Sequence, residues 1–119
     1  MSVSPSFRTY VLEQLAPLGG VSARAMFGGL GLYFEGHFFG LVDDDTLYFK
    51  VDDTTRGRYE RGGMGPFRPS ADEGPSLGYY QVPAEVLEDR EALREWAAAA
   101  VEVARRKAAT RAKRPKPPR

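Results

Sequence analysis

The chain contains one histidine, no cysteine, and short runs of glycine and aspartate, and any chemistry would have to be built from these. His37 has no second imidazole and no thiol to share a zinc ion, so a metal site would rest mainly on carboxylates, an uncommon choice. Its place beside the Glu35-Gly36 turn signal reads as a partly exposed strand residue. Gly28-Gly29-Leu30-Gly31 invites a phosphate-loop reading. A dinucleotide fingerprint, however, needs its glycines to leave a strand and open a helix. Here the position of the last fingerprint glycine is Phe34, and no Gly-Lys-Ser/Thr follows for a Walker loop. Asp43-Asp44-Asp45 and Asp52-Asp53 could suggest calcium, but an EF-hand counted from Asp43 has Tyr48 where Gly belongs and Thr54 where Glu belongs. These acids read as a solvated turn and a helix cap. No serine occupies a Gly-x-Ser-x-Gly elbow. Paired-carboxylate hydrolysis has no support beyond the presence of acids. No catalytic, cofactor-binding or metal-binding residue is assigned, no cofactor is expected, and the chain reads as non-enzymatic.

Two other features could bind rather than react. Met26, Phe27, Tyr33, Phe34, Phe38, Phe39, Tyr48, Phe49, Tyr79 and Tyr80 weight the middle of the chain with aromatic and sulfur groups. Aromatics on a sheet beside basic residues can stack single-stranded bases. The basic residues lie mainly far away in the tail, however, so core packing is the expected role of most of these rings. The second feature is charge. Arg105, Arg106, Lys107, Arg111, Lys113, Arg114, Lys116 and Arg119 leave nine basic residues against all sixteen acidic ones in the remainder. An acidic body with a basic tail describes the chain better than its net +1 does. Such a tail could make salt-sensitive, non-specific contact with nucleic-acid phosphates, or serve only as a solubilising terminus.

These residues need elements to hold them. At 119 residues the chain is expected to form one domain over 1–109, followed by a disordered basic tail over 110–119. Ser4-Pro5 starts a helix over about 5–16, which Pro17 and Gly19-Gly20 stop. Short aromatic-rich segments from Arg24 to Val51, separated by Glu35-Gly36 and Asp43-Asp44-Asp45, read as an antiparallel meander. Leu47, Phe49 and Val51 alternate with Thr46, Tyr48 and Lys50, burying one face and wetting the other. Asp52-Asp53-Thr54-Thr55 starts a short helix carrying Tyr59. Gly63 to Gly78 reads as loop with a brief strand at Phe67-Arg68. Leu77 to Val82 is the last strand, and Asp89 caps a long helix striped with Leu93, Trp96, Ala97, Ala100, Val101 and Ala104. The fold class is therefore α+β, an antiparallel sheet flanked by an N-terminal and a long C-terminal helix. No apolar run approaches the ~18 residues of a membrane span, and the first residues lack a secretory pattern. A cytoplasmic address follows as the expectation.

Arg24-Ala-Met-Phe-Gly-Gly-Leu-Gly-Leu-Tyr, Leu47-Tyr-Phe-Lys-Val-Asp, Gly78-Tyr-Tyr-Gln-Val-Pro and Leu93-Arg-Glu-Trp together resemble the TfoX/Sxy N-terminal-domain family, over about Phe7 to Lys107. The resemblance implies a secretion-chaperone-like sheet flanked by helices, and motif positions Arg24, Met26, Phe27, Gly28, Gly29, Gly31 and Tyr33 with structural roles. Full-length members of that family look like positive regulators of natural competence and carry a further C-terminal helical domain, which is not expected within this chain. The resemblance brings no catalytic residues. The functional expectation is a regulatory or adaptor domain with a protein partner and weak homodimerisation. A nucleic-acid accessory role through the tail is the alternative, and an enzyme of unknown class the remote one.

Overall fold

The computed structural model describes residues 3–26, 28–70 and 74–113, with the backbone alone for Ser70 and residues 111–113. Helix α1 (Pro5–Gln14) begins where local chemistry dictates: the Ser4 hydroxyl accepts the Phe7 N–H at 3.2 Å, and Pro5 takes the first helical position. A 3-10 turn (Ala16–Leu18) leads into β1 (Val21–Met26), β2 (Gly29–Phe34), β3 (His37–Asp43) and β4 (Thr46–Lys50). Helix α2 (Arg56–Arg61) precedes the hairpin β5 (Pro66–Ser70) and β6 (Gly74–Gln81). Helices α3 (Ala84–Leu87) and α4 (Arg90–Lys113) follow.

The six strands form one sheet in the order β1-β2-β3-β4-β6-β5, every neighbouring pair antiparallel. The fold is thus the expected α+β arrangement, with the meander occupying the first four strands. Two details differ from the sequence reading. β6 begins at Gly74 rather than Leu77 and inserts between β4 and β5, and the one-turn helix α3 bridges the last strand to α4.

Helix α4 lies across β3 and β4 and is met by α3 and the 3-10 turn. Its buried face includes Leu93, Ala97, Ala100, Val101, Val103 and Ala104. The alanines let the helix approach the sheet closely, where it packs over Leu32, Val42, Leu47 and Phe49. Leu93 alone, fully buried, contributes on the order of 1.5–3 kcal/mol. Asp89 caps α4 as expected, its Oδ1 accepting from the Glu91 and Ala92 N–H groups at 3.1 and 3.2 Å. Gln14, the one buried polar side chain among the described residues, donates to Leu87 O and accepts from Arg90 Nε, both at 2.9 Å, tying α1 to the α3–α4 junction.

The helical backbone of α4 runs to Lys113, past Thr110 where charge and proline content predicted its end. Ala108, Ala109 and Ala112 supply strong helix propensity, and the first proline after Thr110 is Pro115. The remaining tail, residues 114–119, lies outside the described residues.

Candidate functional site

The strand registers sort the sheet residues onto two faces. Leu30, Leu32, Val42, Leu47, Phe49 and Tyr80 point toward the helices and are buried. Their alternates Arg24, Tyr33, Leu41, Tyr48, Lys50 and Tyr79 point the other way, and among the described residues no helix covers them. A bulge at Phe39 resets the phase of β3, so Phe39 joins the core while Phe38 stands on the open side. The aromatic residues thus divide between two faces instead of mostly serving the core.

On the open face the rings form a connected row across the strands. Tyr33 and Phe38 lie 5.2 Å apart by centroid and Phe38 and Tyr79 5.8 Å, both tilted. Tyr48 meets Phe67 of β5 at 5.0 Å. Two cations lie among them: Arg24 stands 5.5 Å over Tyr33, and Lys50 stands 5.7 Å over Phe38 and 5.5 Å over Tyr79. Such contacts are each on the order of 0.5–1 kcal/mol at exposed sites. Basic residues thus stand among the rings, where linear distance had placed them mainly in the tail.

The glycine motif underlies this face. An added Cβ on Gly31 would lie 2.8 Å from Met26 Cε and 3.0 Å from Phe38 Cε1, so the missing side chain lets both lie over the strand. Gly29 faces backbone instead, its Cβ position being 2.6 Å from Val42 O. Beyond Met26 a small cavity of about 110 Å³ opens, lined mainly by apolar groups from Leu30, Leu41, Val42 and Phe67, with Asp43 at its side. Gly28 turns the chain between β1 and β2, while Phe27 lies outside the described residues.

Every resolved pKa shift moves its group away from neutrality. Tyr48 is raised by burial and then by the charges of Asp43 and Asp44. Tyr59 and Tyr80 are also raised, chiefly by burial, and Arg56 by its hydrogen bond to Asp53. Asp52 goes down: burial would raise it, but hydrogen bonds from Arg106 and Thr54 hold it well below the usual carboxylate range. None of these groups is poised for proton transfer at pH 7. His37 opens β3 beside its turn, half-buried. Among the described residues no group of three or more His, Cys, Asp or Glu could hold a metal ion. No helix there is long and apolar enough to cross a membrane.

The basic tail residues separate. Arg105 pairs with Glu35 at 2.5 Å and Glu102 at 3.3 Å. Arg106 pairs with Asp52 at 2.7 Å, with Thr54 Oγ1 at 3.4 Å. These bonds fasten the C-terminal half of α4 to the β2–β3 turn and to the segment after β4. Lys107 is exposed, Arg111 and Lys113 lie on the helical backbone, and Arg114, Lys116 and Arg119 fall outside the described residues. Because the Asp52 pKa is depressed in the folded state, its stabilisation is present above the unfolded value near 4 and fades as pH falls below it. Arg106→Gln is expected to cost at most about 1 kcal/mol at pH 7, as exposed pairs do. Urea unfolding at pH 7 and pH 2.5 should show that difference narrowing in acid; an equal difference at both would rule out the ion pair as its source.

The sequence reading missed Phe38, Lys50, Phe67 and Tyr79 as members of one surface. The usable signal was the alternation in Thr46–Val51, which already set Tyr48 and Lys50 on the wet face.

The family model of the TfoX N-terminal domain matches residues 13–104 of the 119. The matched region runs from α1 to the last buried residue of α4 and includes the glycine motif and every strand. No curated protein matches the chain. The family is known for regulatory roles and is not a known enzyme family. The chain belongs to the TfoX N-terminal domain family.

Proposed function

We propose that this chain is a non-enzymatic regulatory or adaptor domain, of transcription or competence-type control, that acts by protein contact through the open face of its sheet. The observation that carries the reading is the one-sided architecture: helices cover one face, and the other presents half-buried rings with Arg24 and Lys50 among them. Aromatic residues and arginine dominate interface hot spots, because they desolvate large area at a small entropic cost. The two cations favour a partner surface that is apolar and acidic.

A photoreactive residue replacing Tyr48 tests this in cells, with a second placed at the exposed Glu91 of α4 as control. Covalent capture of one protein from the Tyr48 position alone is expected. Lys50→Glu should weaken binding of that protein about tenfold, roughly 1.4 kcal/mol, while changing stability by no more than about 0.5 kcal/mol. Capture of nucleic acid instead, or equal capture from both positions, would overturn the reading.

A further inference from the structure

The two edges of the sheet differ. β5 carries Pro66 and Pro69 and pairs irregularly with β6, which is how natural sheets blunt an edge. β1 has no proline and pairs with β2 along all six residues without a bulge.

The turns fix which β1 groups point outward. Glu35 and Gly36, with φ of 51° and 80°, join Phe34 to His37 in a two-residue turn. In such a turn the flanking residues exchange both hydrogen bonds, so the Phe34 N–H and C=O point at β3. Alternation then points Tyr33, Gly31 and Gly29 at β1, where their partners Ser22, Arg24 and Met26 answer. The two-residue connection between Met26 and Gly29 demands the same phase. Val21, Ala23 and Ala25 therefore turn their N–H and C=O groups away from the sheet. Among the described residues no backbone hydrogen bond from a turn, loop or cap reaches them.

We propose that β1 pairs antiparallel with β1 of a second copy of this chain, with Ala23 on the two-fold axis. Outward groups must meet outward groups, which leaves few registers. Centring on Ala23 pairs Val21 with Ala25, Ala23 with itself and Ala25 with Val21, using every outward group of the strand. It also sets Arg24 opposite Ser22, a hydroxyl that can accept from the guanidinium. Centring on Arg24 would set two guanidinium groups directly opposite, a destabilising like-charge pair. Centring on Ser22 would leave Ala25 unpaired. The side chains along the strand are small apart from Arg24 and Met26, and Val3 and Arg8 border the surface at Ala25. This symmetry keeps both open faces on one side, so that the pair presents them as a single continuous surface. The inference stands on the strand edge and does not depend on the proposed function.

Sedimentation of the chain across micromolar to about millimolar concentration should show monomer passing to dimer. Ala23→Pro removes an outward N–H that no bond within the sheet uses, so the monomer fold is retained. This variant should weaken dimerisation at least about tenfold. The chain has no cysteine of its own, which allows a second test. In the proposed register Ser22 and Arg24 form a non-hydrogen-bonded pair with Cα atoms about 4.5 Å apart, within disulfide range. Oxidising a mixture of Ser22→Cys and Arg24→Cys chains should give several-fold more covalent dimer than either alone, and this decides the matter if Ala23→Pro fails to fold. Monomer at every concentration, dimerisation unchanged by Ala23→Pro in a folded variant, or equal cross-linking in all three samples would overturn the proposal.

Discussion

Gly29→Ala is expected to lower folding stability by about 3 kcal/mol, at the high end for a single methyl group. The added Cβ would sit 2.6 Å from the carbonyl oxygen of Val42. That oxygen belongs to backbone within the β2–β3 ladder, where Leu30 pairs with Val42, so relief requires the strands to part. Gly31→Ala is the matched control. Its Cβ would meet Met26 Cε at 2.8 Å and Phe38 Cε1 at 3.0 Å, both side-chain atoms. Methionine has three rotatable bonds and can swing aside onto the open face, so about 1 kcal/mol is expected there. Urea unfolding of the two variants checks the order: the midpoint should fall much further for Gly29→Ala, with the slope m unchanged. A larger loss for Gly31→Ala would mean that the open face, not the backbone ladder, fixes this motif.

Tyr59→Ala is expected to cost about 3–5 kcal/mol, a large share of the 5–15 kcal/mol that holds a small domain together. Tyr59 is buried in α2, with its ring centroid 4.8 Å from that of Trp96 in an edge contact and 6.3 Å from that of Tyr80. It is the buried one of several links by which a six-residue helix holds both α4 and β6. Trp96 is the sole tryptophan, and Arg58 lies 4.9 Å from its ring centre. Its fluorescence should therefore report both the unfolding transition and any local loosening. Tyr59→Phe keeps the ring and should cost about 1 kcal/mol or less. The Phe variant also isolates a pH effect. Burial raises the Tyr59 pKa, so the folded state holds this proton longer than the unfolded state does. Stability should fall as pH rises above about 10, and Tyr59→Phe should lessen that fall.

What was legible in the sequence was what local chemistry decides. Ser4, Pro5 and Asp89 mark helix starts because their side chains or ring suit the first turn wherever it occurs. The two-residue connections at Glu35-Gly36 and Asp44-Asp45 force antiparallel neighbours, so the meander could be read directly. The position of β6 between β4 and β5 could not, because it rests on pairing Tyr80 with Phe49 across a long stretch of chain. Phe38-Phe39 are two adjacent aromatics with no alternation to phase them, and only the bulge assigns one to each side. The candidate site was hidden for the same reason: Arg24, Lys50, Tyr33 and Tyr79 sit on four strands, and register alone makes them neighbours. The family motif was visible as a string, but the close approaches at Gly29 and Gly31 require coordinates.

The helix that covers the sheet follows all six strands in chain order, and this shapes how the protein is made. When the six strands have been synthesised, Leu32, Val42, Leu47 and Phe49 still lack the Leu93–Ala104 face that covers them. Hairpins can form early, since their contacts are local, but a lone sheet with one wet apolar side is a template for aggregation. The nascent domain therefore passes through a vulnerable interval that closes only when α4 arrives. A ribosome stalled before residue 93 would hold a chain that binds chaperones, and one holding the full chain on an added C-terminal linker long enough to free α4 would hold a folded domain.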